Sequence, residues 1–149
     1  MQDNESRLQK KDGQPVRCLV VDDSVFARKH LGRILEMLGG VVAGEAVHGL
    51  AAIEEYNLLL PDVVLMDVTM PEMEGFEAAE RIIRNHPQAR IVMVSSLGDQ
   101  ENISQALRIG VLHFVQKPAR VELLQEVLRR VLGAEGKTVP AATEGRQIP

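Results

Sequence analysis

The sequence predicts an α/β fold in which a doubly wound parallel sheet of five strands lies between two layers of helices. Short apolar runs alternate five times with helical patterns, and such alternation is typical of parallel strands joined by right-handed helical crossovers. The run VVLM at 63–66 has no polar residue, as expected of a strand that is covered on both faces. The length of 149 residues fits one domain of this kind.

Five runs are predicted to be strands because each is short, largely apolar and followed by polar or turn-forming residues. The first run is interrupted only by Arg17. The predicted strands are residues 16–21, 41–47, 62–66, 90–94 and 112–115.

Five helices are predicted where apolar residues recur at intervals of three and four. The pair Gly39-Gly40 ends the first helix. Pro61 follows the second helix, and Gly110 closes the fourth. Together with the strands, these helices make a (βα)5 flavodoxin-like three-layer sandwich. The predicted helices are residues 25–38, 49–60, 72–85, 99–109 and 120–132.

The two ends of the chain lack this periodicity. Residues 1–14 are polar and charged, and they are predicted to form a flexible N-terminal arm. Residues 134–149 are predicted to form a flexible C-terminal tail. The folded domain is therefore expected to span residues 15–133.

The composition argues against several classes of function. The net charge of −4 disfavours a broad surface for nucleic acid, although it leaves a small basic patch open. The single cysteine, Cys18, excludes an internal disulfide and a cysteine-rich zinc site. No run approaches the roughly 18 apolar residues needed to cross a bilayer. We therefore expect no direct nucleic-acid binding, no membrane insertion and a cytoplasmic location.

Polar side chains are concentrated where the predicted strands end. Asp22 and Asp23 follow the first strand, and Asp67 follows the third. Ser95 follows the fourth strand, and Lys117 follows the fifth. Ligands of doubly wound sheets bind beyond the carboxyl ends of the strands, near the point where the strand order reverses. We therefore expect these five side chains to share one crevice.

Three carboxylates in one crevice repel one another unless a cation is present. Mg²⁺ fits best, because it prefers oxygen ligands, takes few carboxylates and often completes its shell with a phosphate oxygen. Mn²⁺ is the alternative ion, since it accepts the same ligands. A metal-bound carboxylate beside a lysine and a hydroxyl predicts phosphoryl transfer, in which a protein mainly positions groups and neutralises charge.

Each of these residues also has an ordinary structural explanation. Asp23 or Ser24 would cap the following helix, while Asp67, Ser95 and Lys117 would be polar residues of loops. Four such coincidences at four strand ends of one sheet are improbable, so the functional interpretation is preferred.

Four motifs occur in order along the chain: LVVDDS at 19–24, VVLMDVTMPEMEG at 63–75, IVMVSS at 91–96 and FVQKP at 114–118. Together they resemble the receiver domain of two-component response regulators. The resemblance covers essentially all of residues 16–132. Within that family the first and third motifs are most similar to chemotaxis-type receivers, among them stand-alone ones and the regulatory domain of chemotaxis methylesterases.

The resemblance implies a chemical role for the residues that follow β-strands three to five. Asp67 would be the phosphoacceptor and would form an acyl phosphate. Lys117 would pair with the phosphoryl group, and its bond to Pro118 would be cis. Ser95 would be the hydroxyl that responds to phosphorylation.

The resemblance also implies a set of metal ligands. Asp23 and Asp67 would bind Mg²⁺ directly, and Asp22 would help through a bound water. The backbone carbonyl of Thr69 would be a further ligand.

Three more residues receive roles from the resemblance. Phe114 would be the aromatic side chain that rotates when Ser95 moves. Thr69 and Ser96 would flank the path of the attacking water, and so they would set the lifetime of the phosphoryl group.

The implied partners are proteins. The phosphoryl group would come from a sensor histidine kinase or a histidine phosphotransfer protein. Phosphorylation would switch a surface within residues 99–132 that binds a downstream protein target.

The chain would thus be a switch with only weak self-catalysed phosphotransfer and dephosphorylation, not a true enzyme. Phe26 is expected either to meet the kinase or to pack in the core.

Two alternatives stay open at this point. In the first alternative, the chain is the severed receiver domain of a longer regulator, such as a methylesterase or a DNA-binding protein. In the second it is a phosphohydrolase of the haloacid-dehalogenase type. That class needs Asp-x-Asp after the first strand, whereas Asp22 and Asp23 are adjacent.

Overall fold

Five parallel strands form one sheet, in the order β2-β1-β3-β4-β5, in the computed structural model, which describes residues 7–70 and 73–133. The predicted doubly wound sheet is thereby confirmed. The strand order reverses after β1, because β2 pairs with one edge of β1 and β3 with the other. The strands are β1 (Arg17–Val21), β2 (Val41–Ala46), β3 (Val63–Met66), β4 (Ile91–Ser95) and β5 (His113–Gln116).

Helices cover both faces of the sheet, as the three-layer prediction requires. In β1, Leu19 and Val21 join one apolar cluster, whereas Cys18 and Val20 join the other. The first cluster holds α2, α3 and α4, and the second holds α1 and α5. No helix within the described residues is long and apolar enough to cross a membrane. The helices are α1 (Val25–Met37), α2 (Gly49–Leu59), α3 (Gly75–Asn85), α4 (Gln100–Ile109) and α5 (Val121–Gly133).

The start of α3 differs from the prediction by three residues. The helix begins at Gly75 instead of residue 72, because Glu74 has extended backbone and the Gly75 N–H donates to the Val68 carbonyl at 2.7 Å. Residues 71 and 72 lie outside the described residues. Every other predicted boundary agrees with the structure within one residue.

The predicted flexible arm also differs from the structure, over residues 7–14. Leu8 is only 2% exposed and belongs to the same apolar cluster as α1 and α5. Its N–H donates to the Leu38 carbonyl at 2.6 Å, and Gln9 forms an antiparallel bridge with Pro15. One apolar side chain in a polar segment leaves no periodicity to detect, yet it is enough to hold the segment on the domain. Residues 1–6 and the predicted tail, 134–149, lie outside the described residues.

Candidate functional site

The register of the sheet brings Asp22 and Asp67 side by side. Val21, the last residue of β1, lies opposite Met66, the last residue of β3. The next residue of each chain segment is therefore an aspartate at the same edge of the sheet. The Asp67 N–H continues the ladder by donating to the Val21 carbonyl at 2.9 Å. Both side chains are buried: Asp22 is 1% exposed and Asp67 is 8% exposed.

Asp23 completes a cluster of three carboxylates. One oxygen atom from each of Asp22, Asp23 and Asp67 lies within 4.8 Å of the others. Asp23 is exposed, so the carboxylate cluster opens to solvent at this residue. Among residues 7–70 and 73–133, no other group of three His, Cys, Asp or Glu side chains is placed so closely.

Lys117 joins the carboxylate cluster from the end of β5. Ser95 lies opposite Gln116 in the β4–β5 ladder, and the Lys117 N–H donates to the Ser95 carbonyl at 2.9 Å. The Lys117 Nζ lies 2.6 Å from Asp22 Oδ2 and 3.7 Å from Asp67 Oδ2. The peptide bond from Lys117 to Pro118 is cis. The ammonium group therefore pairs more closely with Asp22 than with Asp67.

Burial raises the pKa of Asp67 above its ordinary value of 3.8, because a desolvated carboxylate is less stable than the protonated group. The Lys117 ammonium opposes this rise in pKa, and the negative charge of Asp22 adds to it. The Val68 N–H, which donates to Asp67 Oδ1 at 2.8 Å, and the Ser95 hydroxyl both lower the pKa. The net rise shows that these groups do not fully offset the cost of the buried charge.

The carboxylate cluster fits a hard divalent cation. It offers three carboxylate groups against one ammonium group, and all the donor atoms are oxygens. Such a set suits Mg²⁺, which binds few carboxylates and keeps open positions for water or phosphate oxygens. Thr69, whose carbonyl was predicted as a ligand, lies two residues beyond Asp67 and has an exposed side chain.

Of the two residues predicted to switch, Ser95 lies beside Asp67, whereas Phe114 lies in the apolar core. Ser95 is 1% exposed, and its hydroxyl accepts a hydrogen bond from the Leu97 N–H at 3.2 Å. Ser96, the next residue, is exposed. Phe114 is 1% exposed and is a member of the apolar cluster that holds α4. The Phe114 ring is therefore buried in the core in this structure.

Arg28 supports the loop that carries the aspartate pair, a role that was not predicted from the sequence. Its Nη1 donates to the Asp22 carbonyl at 2.8 Å, and its Nε donates to Glu45 Oε1 at 2.7 Å. The Ser24 N–H donates to Asp22 Oδ1 at 2.9 Å, while the Ser24 hydroxyl caps α1. The cap explanation is therefore correct for Ser24. No sequence signal identifies Arg28, because its role depends on where β2 places Glu45.

Gly75 sets how closely α3 approaches Asp67. A Cβ atom at Gly75 would overlap the Asp67 carbonyl oxygen and would crowd the backbone of Val68. A side chain at this last position of the second motif would therefore clash with the backbone, a constraint that was not predicted from the sequence.

An apolar groove of about 340 Å³ adjoins the carboxylate cluster, with Lys117 in its wall. Phe26 borders the groove and is 80% exposed, so its packing in the core was the wrong alternative. The groove lies between α1 and the segment that follows β5. Its other lining residues include His30, Ser96, Pro118 and Ala119.

The chain matches a family model and several characterised proteins. The model "Response regulator receiver domain" matches residues 18–147. The chain is 40% identical over 126 residues to chemotaxis protein CheY of Treponema pallidum, covering 83% of this chain and 88% of that protein. It is 41% identical over 115 residues to chemotaxis protein CheY of Thermotoga maritima, covering 77% of this chain and 96% of that protein.

A solved structure shows the same fold. The crystal structure of the CheX-CheY-BeF3-Mg complex from Borrelia burgdorferi contains a chain that superposes with a TM-score of 0.76 at 31% identity. The match covers 78% of this chain and 89% of the other. The resemblance drawn from the four motifs is therefore confirmed, and the phosphohydrolase alternative is set aside. The chain belongs to the family of response regulator receiver domains.

Proposed function

We propose that Asp67 accepts a phosphoryl group, that Mg²⁺ is held beside it by the carboxylate cluster, and that the modification switches a protein-binding surface. As a receiver domain, the chain is a phosphoryl acceptor of two-component signalling and not a classical enzyme. The observation that carries the assignment to residues is the sheet register, which places Asp22 and Asp67 at one edge. The chemotaxis relatives support chemotaxis as the pathway.

Asp67 is better placed than Asp22 to act as the nucleophile. Both oxygens of Asp22 are engaged, Oδ1 by the Ser24 N–H at 2.9 Å and Oδ2 by the Lys117 Nζ at 2.6 Å. Asp67 Oδ1 accepts from the Val68 N–H at 2.8 Å, whereas Oδ2 lies 3.7 Å from Lys117. Lys117 therefore holds Asp67 less closely than Asp22, and Asp67 is the more exposed of the two residues.

In the proposed reaction, a carboxylate oxygen of Asp67 attacks the phosphorus atom of a phosphohistidine on the donor protein. A P–O bond forms, the P–N bond breaks, and its electron pair leaves with the imidazole. Mg²⁺ would supply charge neutralisation for the transferring group. Lys117 would provide a second positive charge close to Asp67, and the Ser95 hydroxyl would donate to a phosphoryl oxygen. Binding of Mn²⁺ at the carboxylate cluster stays a prediction, which rests on its preference for the same oxygen ligands.

The apolar groove is the proposed docking place for the donor. Phe26 offers a large exposed aromatic ring beside the carboxylate cluster, and Lys117 belongs to both the groove and the cluster. A donor histidine on a kinase or phosphotransfer protein would reach Asp67 from this side. Thr69 follows Asp67 by two residues, Ser96 lines the apolar groove together with Lys117, and both residues are exposed. These positions support their proposed effect on the attacking water and so on phosphoryl lifetime.

The proposed switch begins at Ser95. A phosphorylated Asp67 would offer several acceptor oxygens, and these would draw the Ser95 hydroxyl away from the Leu97 N–H. Leu97 precedes α4, so the change would reach the surface formed by α4, β5 and α5, where a downstream protein target would bind. Because Phe114 is already buried, the response of this surface is expected to begin at the β4–α4 loop. That the chain is a receiver domain severed from a longer regulator, such as a methylesterase or a DNA-binding protein, stays a prediction.

The proposal is tested by incubating the chain with a small phosphodonor and Mg²⁺ and measuring intact mass together with capture of a cognate partner. The wild type is expected to gain one phosphoryl group, and Asp67→Ala is expected to gain none. Asp99→Ala, which removes an exposed carboxyl from the α4 cap, is the control and should be modified. A phosphoryl group that persists in Asp67→Ala would reassign the acceptor.

Lys117→Ala separates transfer from signalling. We expect this variant to remain folded and to lose the link between phosphorylation and partner binding, because the ammonium group that senses the modified Asp67 is gone. Partner affinity that still responds to phosphorylation in Lys117→Ala would refute the proposed switch.

A further inference from the structure

A hydrogen bond joins α1 to the segment that follows β5. The His30 Nε2 lies 3.2 Å from the carbonyl oxygen of Ala119. A carbonyl oxygen only accepts, so the imidazole carries a proton on Nε2 and is the donor of this bond. His30 is partly buried and Ala119 is 5% exposed, and such shielding from water strengthens a hydrogen bond. The contact therefore holds the segment against α1.

The segment held in this way carries Lys117. The Lys117 N–H donates to the Ser95 carbonyl at 2.9 Å, whereas Pro118 has no N–H with which to continue the pairing. The bond from His30 reaches the next residue, Ala119. The backbone is thus fixed on both sides of the Lys117–Pro118 pair, by β4 on one side and by α1 on the other.

The same helix also holds the opposite side of the carboxylate cluster. Arg28, two residues before His30, donates from Nη1 to the Asp22 carbonyl at 2.8 Å. One helix therefore contacts both the backbone that presents Asp22 and the segment that presents Lys117. These two side chains meet at 2.6 Å, between Lys117 Nζ and Asp22 Oδ2. We infer from this arrangement that α1 sets how far the lysine lies from the aspartates.

The position of the Lys117 backbone matters because the ammonium group is carried on a flexible four-carbon stem. Its Nζ lies 3.7 Å from Asp67 Oδ2, and the attraction between opposite charges falls as they separate. The Lys117 side chain is 26% exposed, so solvent is open to it. A segment released from α1 would let the ammonium group move away from Asp67 and towards water.

We propose that His30 is a positioning residue for phosphoryl transfer to Asp67, and that it acts by keeping Lys117 Nζ close to the acceptor carboxylate. This inference rests on the proposed function. His30 is not a member of the carboxylate cluster, and its hydrogen bond is to Ala119. Its effect on transfer therefore has to pass through Lys117.

The test measures the rate constant of phosphorylation by phosphoramidate with Mg²⁺, followed by intact mass, in two variants of His30. His30→Leu keeps a side chain in the groove wall but has no donor, and it is expected to react about fivefold more slowly, as the loss of one hydrogen bond allows. His30→Gln places an N–H at a similar reach and should restore the rate to within about twofold of the wild type. A wild-type rate in His30→Leu, or a rate in His30→Gln as low as that in His30→Leu, would overturn the proposal.

A second measurement shows whether the effect passes through Lys117. In the Lys117→Ala background, His30→Leu should cause no further slowing, because the ammonium group that His30 positions is absent. The same loss of rate in both backgrounds would show that His30 acts independently of Lys117, and the proposal would be wrong.

His86→Leu is the matched control. The His86 Nε2 also bonds to an oxygen, Asn57 Oδ1 at 2.8 Å, but it lies at the end of α3. This variant loses a hydrogen bond between two helices and should still react as the wild type does. Equal slowing by His86→Leu would mean that the effect is not specific to His30.

The outcomes separate this role from the proposed function. A wild type that is modified at Asp67, together with a His30→Leu variant that reacts at the same rate, would leave the proposed function intact and reject the role of His30. A wild type that gains no phosphoryl group would reject the proposed function and this role with it.

Discussion

At the scale of single residues, Asp67 is a group of the site that costs stability. Asp67 is a buried carboxyl whose pKa is raised by burial and by the negative charge of Asp22. Such a group opposes folding in its ionised form, because the folded chain must keep a poorly solvated charge. Functional sites commonly carry this kind of cost.

Asp67→Asn is therefore expected to stabilise the protein in the absence of divalent cations, by about 1 kcal/mol. The raised pKa means that the folded state holds its proton more tightly than the unfolded state, so ionisation above this pKa weakens folding. Urea unfolding at neutral pH measures the difference. Asp99→Asn is the control, since asparagine caps a helix as well as aspartate does. If Asp67→Asn were less stable than the wild type, the Asp67 carboxylate would not oppose folding, and the interpretation would be wrong.

His113 predicts a loss of stability in mild acid. It is 7% exposed, and burial lowers its pKa below the ordinary value of 6.5. Below that value the unfolded chain takes up a proton that the folded histidine resists, so the free energy of unfolding falls as the pH falls. His113→Gln removes this contribution. The variant should lose less stability than the wild type between about pH 7.5 and about pH 5.5 in urea unfolding. Equal losses of unfolding free energy in His113→Gln and the wild type over this pH range would contradict the interpretation.

At the scale of elements, the β1–α1 loop depends on Arg28. The guanidinium group joins the Asp22 carbonyl to Glu45 at the end of β2, and so it fixes the loop that presents two of the three carboxylates. Arg28→Lys keeps the charge but loses the planar fork needed for both contacts. We expect the affinity for Mg²⁺ to fall about tenfold, as outer-sphere changes at metal sites typically cause.

Titration of Mg²⁺ followed by calorimetry checks the role of Arg28. Arg33→Lys, an exposed position on the same helix, is the matched control and should leave the affinity unchanged. An unchanged Mg²⁺ affinity in Arg28→Lys would mean that the β1–α1 loop keeps its conformation without the guanidinium contacts.

The junction between β3 and α3 depends on Gly75. A methyl group at this position would overlap the Asp67 carbonyl oxygen, so Gly75→Ala must displace α3 or the Asp67 backbone. We expect a loss of about 1–3 kcal/mol in thermal unfolding. Gly32→Ala on α1 is the control: its Cβ would meet Val42 at an ordinary 3.5 Å, and alanine favours a helix by about 0.5–1 kcal/mol. If Gly75→Ala had the same thermal stability as the wild type, the close approach of α3 to the Asp67 backbone would be contradicted.

The elements were largely predictable, because their signals are local. Apolar runs and helical spacing located nine of the ten elements to within one residue at each end. The start of α3 was not predictable, since residues 72–74 continue the helical pattern in the sequence, whereas Glu74 has extended backbone and the Gly75 N–H donates to the Val68 carbonyl. The role of Arg28 was not predictable either, because it depends on contacts between separate segments of the chain.

At the scale of the whole molecule, the topology makes the site predictable from the sequence. The carboxyl ends of parallel strands meet at one edge, so Asp22, Asp67 and Lys117 had to converge once the strand pattern was recognised. The other edge gave no such signal. There Leu8 packs a polar segment against the apolar cluster of α1 and α5, which the pattern of residues 1–14 does not reveal.

The most direct test of the central claim is to locate the phosphoryl group chemically. The phosphorylated chain is reduced with borohydride, which converts an aspartyl phosphate to homoserine, and peptides are then sequenced by mass spectrometry. We expect homoserine at position 67, and only when Mg²⁺ was present during phosphorylation. Homoserine at position 22 or 23, or a Mg²⁺-independent product, would contradict this expectation.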